Sequence, residues 1–403
     1  MKEKESRINA AVPKYFTLII LCVFFILSGC GGVSGDNLNF TMYWGVAVDD
    51  LDQDGAADIV VTLTNSGGNT RHYSSVILNN PALPGSFFLS DEFKLQGADR
   101  DWPASVALGD LNDDGFADIA TQNKEAIFIL FQDSTLPGQF FVPLKIVVGT
   151  YAQSLAIGDL NEDGFDDLAI AGGQAHLSIL FQDSLNPGDF LPLVNLGTSS
   201  NSVAIGDLDG DSINDMAVAG SGKVRLLFQD PVAPGSFLLP VDLDVGVQPA
   251  DVKIADLDKD GRLDLIVGHD YEHGGVSVSL QDPFNAGQFL PADNYNFACS
   301  SNGISLGDLN DDGFLDIAVA SWCYGDDCKI TILFQDMTNS GSFLPAVKYS
   351  CDDFSIPASI AVADVNNDSF NDLIVLEDGV VIRLQNASSP GTFQGRIKIY
   401  DPD

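Results

Sequence analysis

Short apolar runs, each about as long as a single strand, recur along this chain with polar, aspartate-rich segments between them. Runs such as Val203-Ala-Ile-Gly206 and Ser305-Leu-Gly307 precede the acidic segments, and runs such as Leu168-Ala-Ile170 and Ile317-Ala-Val-Ala320 follow them. Small and β-branched residues in runs of this length predict closely packed inner strands. A third run closes on a second signature: Ile129-Leu-Phe-Gln-Asp133, then residues 179–183, 227–230, 278–282 and 332–336, with variants at 77–80 and 383–386. A Pro-Gly-x-Phe turn often opens a fourth strand, as at Pro137-Gly138-Gln139-Phe140 and Pro234-Gly235-Ser236-Phe237.

The acidic segments are copies of one nine-residue loop, returning seven times at intervals of 48 to 60 residues. Seven copies of a four-strand unit predict an all-β fold, a seven-bladed β-propeller with four-stranded blades and Asp-rich calcium loops. An open solenoid is the competing arrangement, and the absence of distinct terminal caps argues against it.

Each loop offers side-chain oxygens at positions 1, 3, 5 and 9 and a backbone carbonyl at position 7. In the first copy these side chains are Asp50, Asp52, Asp54 and Asp58; in the second, Asp110, Asn112, Asp114 and Asp118; in the third, Asp159, Asn161, Asp163 and Asp167. Asp207, Asp209, Asp211 and Asp215 follow, then Asp256, Asp258, Asp260 and Asp264. The last two sets are Asp308, Asn310, Asp312, Asp316 and Asp364, Asn366, Asp368, Asp372. Calcium takes six to eight hard oxygens in a flexible shell, so up to seven calcium ions are expected. Position 6 is glycine in five copies, which suits the sharp bend. Ser212 and Ser369 replace it in copies four and seven, where the weakest sites are expected. No glutamate stands at position 12, so these are not EF-hands.

Charge follows from the loops. The chain holds 57 acidic and 19 basic residues, a net charge of -38, and 24 of the acids occupy ligand positions. Such a body is a poor partner for nucleic acid. Yet 45% of the residues are hydrophobic, which excludes a disordered acidic tail. Uncompensated carboxylates crowded into loops link stability to calcium.

The loops and the Phe-Gln-Asp endings together resemble the FG-GAP/VCBS repeat family, which includes the calcium-binding blades of integrin α subunits. The resemblance spans roughly residues 38–400 and implies that the loop side chains named above are calcium ligands joining the first and second strands of each blade. The departures are Ser212, Ser369 and the third strands of the first and seventh blades, which lack the Phe-Gln-Asp ending.

At the N-terminus, Lys2, Lys4, Arg7 and Lys14 precede an apolar stretch from Phe16 to Leu27, the length of a signal-peptide core. Leu27-Ser28-Gly29-Cys30 resembles the bacterial lipoprotein signal, which implies cleavage before Cys30 and lipid on its sulfur. An ordinary cleaved signal with Cys30 incidental is the alternative. The expected layout is a leader over 1–29, a lipidated tether over 30–37 and a monomeric propeller over 38–403. Gly31 after the cysteine points by the same resemblance to the outer membrane, with the body facing periplasm or cell exterior.

One face is elaborated. From the last loop aspartate to the third-strand Phe or Leu, the chain spans 20, 16 and 18 residues in blades one, five and six, against 12 to 14 in the others. The inter-blade links after blades one and six are the longest as well; these insertions and links fall opposite the acidic loops, and together they carry His72, Tyr73, Arg100, Trp102, His269, Tyr271, His273, Trp322 and Tyr324. Exposed aromatics beside polar groups suit a sugar or peptide ligand; the competing reading is that they plug blade tops and close hairpins. Four cysteines follow the leader and the lipid site, and an even number in an exported chain suggests disulfides. Cys323 with Cys328 and Cys299 with Cys351 are the expected pairs.

Three functions fit: a surface-anchored recognition or adhesion module for glycan or protein, a lyase-like polysaccharide-degrading enzyme, or a structural envelope-assembly lipoprotein. The lyase would draw its base and cation from His72, Arg100, His269 and His273. No nucleophile elbow, phosphate loop or zinc-protease helix appears.

Overall fold

The computed structural model describes residues 41–65, 71–95, 105–123, 126–149, 152–172, 177–246, 248–270, 274–323, 329–351 and 356–400. These form seven antiparallel sheets of four strands, each built from strands consecutive in the chain. The first strands are Thr41–Asp49, Val106–Gly109, Ser154–Gly158, Ser202–Gly206, Pro249–Ala255, Cys299–Gly307 and Ser359–Ala363. They are the inner strands of a seven-bladed propeller. No helix occurs among the described residues.

The core is divided into seven hydrophobic clusters, one at each boundary between neighbouring blades. Second strands sit between two such clusters. Ile59, Val61 and Leu63 pack toward blade seven, whereas Val60 packs toward blade two. Burial on both faces explains why these strands read as continuous apolar runs instead of alternating patterns. First strands need small residues for a different reason. A Cβ added at Gly109 would lie 2.6 Å from Ile157 of the next blade, and one at Gly307 would lie 2.5 Å from Val362. Glycine at these positions lets adjacent blades close around the axis.

Among the described residues the ring closes between blades seven and one through packing and hydrogen bonds, with no exchanged strand. Tyr43, Ile59 and Ile77 share one cluster with Val365, Ile374 and Ile382. Asn79 Nδ2 donates to the Val365 carbonyl at 2.8 Å, and the Tyr400 hydroxyl meets Glu92 Oε1 at 3.1 Å.

The insertions in blades one, five and six fold largely as longer strands. Their first strands run to nine, seven and nine residues, against four or five in the other blades. Each also carries a β-bulge, at Trp44, Ala250 and Asn302. At the top of blade six, Cys299 is paired across the hairpin with Cys323, and the two form a disulfide. This corrects both expected pairs. The long hairpin sets Cys299 opposite Cys323, and Cys351 instead lies buried with its thiol hydrogen-bonded to Glu377. Cys328 lies outside the described residues, as do Cys30 and the whole of the leader and tether.

Candidate functional site

In every acidic loop the position-1 carboxylate organises the turn. Asp50 Oδ1 accepts the Asp54 N–H and its Oδ2 accepts the Gly55 N–H, both at 2.9 Å. The sequence folds this way because short Asp side chains bond backbone a few residues ahead. Ser212 and Ser369 make the same bond to Asp207 and Asp364 at 2.9 and 2.7 Å, but both hold a left-handed φ of 71°. Those two loops also gain a tie to the preceding blade: Asn214 Nδ2 donates to the Asp159 carbonyl and Asn371 Nδ2 to the Asp308 carbonyl.

The position-9 aspartate joins loop to blade. Asp118 is fully buried; its Oδ2 accepts the Leu111 N–H at 3.0 Å and its Oδ1 the Gln132 N–H at 2.7 Å. Gln132 completes the clamp: Nε2 donates to the Ala117 carbonyl and Oε1 accepts the Gly138 N–H of the Pro-Gly turn. Here lies the physical basis of the Phe-Gln-Asp signature. Gln385 does the same work in blade seven. In blade one Asn79 makes the aspartate and carbonyl bonds, but its shorter side chain leaves Oδ1 without a partner. Burial pushes the position-9 carboxyls up to about 7, or about 6 for Asp264, against the pull of the two backbone donors.

The donor set fits a hard divalent cation. Carboxylate oxygens of Asp50, Asp52 and Asp58 gather within 4.8 Å of one another, as do those of Asp207, Asp209, Asp215 and of Asp256, Asp258, Asp260. These are the three loops with Asp at position 3. In the other four an Asn amide oxygen takes that place. Burial and then the adjacent position-5 carboxylate raise Asp52, Asp209 and Asp258, an unrelieved crowding of negative charge that a cation would neutralise.

On the opposite face, the sequence candidates separate. His72 is buried, with Nδ1 3.0 Å from Thr64 Oγ1, and His269 is buried with Nε2 2.6 Å from Ser277 Oγ. Both belong to the extended hairpins, whose strands turn them inward. Tyr73 is half-buried against the cluster between blades seven and one, and Trp322 is half-buried on the disulfide-bonded hairpin. Arg100, Trp102, Tyr271, His273 and Tyr324 lie outside the described residues.

Trp44 was not among those candidates. Its Nε1 donates to Thr64 Oγ1 at 3.1 Å, the same hydroxyl that meets His72, and it lines a polar cavity at the propeller axis. Its place on a lengthened blade was the available signal, but a tryptophan within an inner strand reads as core.

Among curated proteins none matches the chain. Solved structures with the same architecture include an Agrocybe aegerita lectin that recognises non-reducing terminal N-acetylglucosamine, 18% identical, covering 79% of this chain and 82% of its own, with a TM-score of 0.50. BBS1N, in complex with ARL6DN, is 13% identical over 89% of this chain and 98% of its own, with a TM-score of 0.51. Rhamnogalacturonan lyase YesW is 12% identical over 86% of this chain and 71% of its own, with a TM-score of 0.50. At these identities the likeness is one of fold. The FG-GAP-like repeat matches residues 50–121, 159–218, 207–267, 256–319 and 308–375, and with the loops and blades described above it places this chain in the FG-GAP-like repeat family.

Proposed function

We propose that this chain is a calcium-binding recognition or adhesion module that captures a glycan or a protein on the face opposite its acidic loops. The observation that carries this reading is the unequal build of that face. Blades one, five and six depart from the repeat by longer hairpins and bulges, while the loop face keeps its pattern in all seven. Elaboration of one face on a rigid scaffold is how such scaffolds acquire binding sites.

Calcium is supported by a donor set made of oxygen alone, without thiolate or imidazole. When bound, it supplies charge neutralisation to the loop; the loop's own hydrogen bonds already orient the carboxylates. Lipid on Cys30 would hold the monomeric body to the outer membrane, facing periplasm or exterior, since several acyl chains on one cysteine anchor a soluble domain.

A polysaccharide lyase is the second reading, because propellers of this fold include a lyase as well as a lectin. It is weakened by the burial of His72 and His269, which leaves Arg100 and His273 as its candidates. The test is a screen of the full chain against polysaccharides and envelope extracts, in calcium and in chelator, with product analysis. Calcium-dependent capture without product is expected, and Trp322→Ala or Trp102→Ala should reduce it without loss of folding. Depolymerised product would replace this reading with the lyase; capture of nothing would leave a structural envelope protein.

A further inference from the structure

Loops four and seven carry serine at the bend, with Ser212 and Ser369 at a φ of 71°, a conformation that suits glycine better. Each of these loops is bonded to its neighbours on both sides. Toward the preceding blade, Asn214 Nδ2 donates to the Asp159 carbonyl at 2.9 Å, and Asn371 Nδ2 donates to the Asp308 carbonyl at 3.1 Å. Toward the following blade, the Leu208 carbonyl accepts Gln281 Nε2 at 2.9 Å, and the Val365 carbonyl accepts Asn79 Nδ2 at 2.8 Å. The two strained copies are thus braced alike, although blades four and seven are not adjacent.

Every brace ends on a group that orders a proposed calcium ligand. Asp159 and Asp308 stand first in loops three and six, and their carboxylates accept the Gly164 and Gly313 N–H groups at 2.9 and 2.7 Å. Asn214 and Asn371 directly precede Asp215 and Asp372, the last ligands of their own loops. Asp215 in turn accepts the Leu208 N–H and Asp372 the Val365 N–H, at 2.9 and 3.2 Å. Beyond the next boundary, the backbone N–H of Gln281 is accepted by Asp264 at 2.8 Å, and that of Asn79 by Asp58 at 2.7 Å. Bonds therefore run from ligand to ligand through loops three, four and five, and again through loops six, seven and one.

At position 8 the other copies hold Ala57, Ala117, Asp166, Leu263 and Leu315, none with a side-chain amide to give. Loop two is reached by Gln53 Nε2 on the Gly115 carbonyl at 3.0 Å, and Lys259 Nζ lies 3.9 Å from the Phe314 ring centroid. Both contacts use exposed side chains, where water competes with them. Ordering a loop around an ion costs conformational entropy, and a loop already held by ordered neighbours loses less. That saving matters most where serine strains the bend. We infer that calcium fills six of the loops as two coupled sets, loops three to five and loops six, seven and one. Asn214 and Asn371 are the positioning residues that transmit the order of loops three and six. The inference rests on the calcium reading and adds regulation to it: neighbouring loops decide the calcium concentration at which loops four and seven fill.

The test is amide hydrogen exchange of the full chain at graded free calcium, read loop by loop, with loop two as internal reference. Asp163→Ala, which removes a ligand from loop three, should raise the calcium midpoint of loop four by about fivefold or more and leave loop two unmoved. Asn214→Leu, which installs the residue type that copies five and six carry there, should raise the loop-four midpoint by itself. In the chain carrying both changes, Asp163→Ala should add nothing further at loop four. Asn371→Leu with Asp312→Ala should repeat the pattern at loop seven. A brace that only stiffens the fold would lower the melting temperature in chelator without making one loop's midpoint follow its neighbour's ligand. Should Asn214→Leu disturb its own loop, Asp163→Ala in the otherwise unchanged chain decides alone, and a loop-four midpoint that ignores it overturns the coupling. A shift that persists in full after Asn214→Leu overturns the role of Asn214. Calcium protection of every loop with independent midpoints would overturn the inference and leave the calcium reading standing; protection of no loop would end both.

Discussion

The two faces of this propeller are built on opposite plans. On the loop face the same carboxylate turn and the same buried aspartate clamp recur around the ring, so a change in one copy has six internal references. On the opposite face, blades two, three, four and seven have short first strands, while blades one, five and six carry long bulged hairpins and a disulfide. Repetition is what a fold needs to close and hold seven blades; irregularity is what a ligand needs to be distinguished. In the proposed reading, stability belongs to one face and recognition to the other.

The largest expected effect is calcium removal. An ion held at about a hundred times its Kd contributes roughly 2.7 kcal/mol per site, so several sites together should shift melting by about 10 °C or more. A melting curve indifferent to excess chelator would end the calcium account. Next comes the clamp. Asp118→Ala leaves the Leu111 and Gln132 N–H groups buried without acceptors, and should cost about 3 kcal/mol in denaturant unfolding. Breaking the blade-six disulfide with Cys299→Ser releases a 24-residue separation and should cost up to about 3.5 kcal/mol by chain entropy. It should loosen the recognition face and leave calcium affinity unchanged, which calorimetry would check.

Proton linkage gives a smaller effect with a defined sign. The position-9 carboxyls sit at about 6 to 7 when folded, above the ordinary 3.8. Between those limits the folded chain holds more protons than the unfolded one, so this contribution is present in acid and is lost as pH rises toward 7. In chelator the protein should melt higher at pH 5 than at pH 8 as far as these groups decide it. Saturating calcium should remove or invert that trend, because the ion takes the ionised form. Smallest is relief of strain: Ser212→Gly and Ser369→Gly should each stabilise by about 0.5–1 kcal/mol, since glycine accepts the left-handed φ. The same two changes in Gly55 loops have no counterpart, so they measure how far the copies differ.

The loop face was legible in the sequence because its chemistry is local. Asp50 bonds residues four and five positions ahead, and that spacing is visible as a string. The Gln132 signature could be seen but not explained, since its partners lie in another strand and a turn. The opposite face was legible in outline only. Residue counts found the elaborated blades, but a count does not distinguish a longer loop from a longer strand. That is why the burial of His72 and His269 is not readable from the sequence, and why the expected partner of Cys299 is Cys351 while the structure gives Cys323. Trp44 escaped for a related reason. A single bulge between Tyr43 and Gly45 moves it out of the ladder, and nothing in the local sequence marks that register shift.

The most direct test of the division between faces is amide hydrogen exchange of the full chain, read peptide by peptide with and without millimolar calcium. The account predicts added protection in the acidic loops and the strands clamped to them, with little change in the extended hairpins of blades one, five and six. Protection that appears only in those hairpins, or none anywhere, would contradict it.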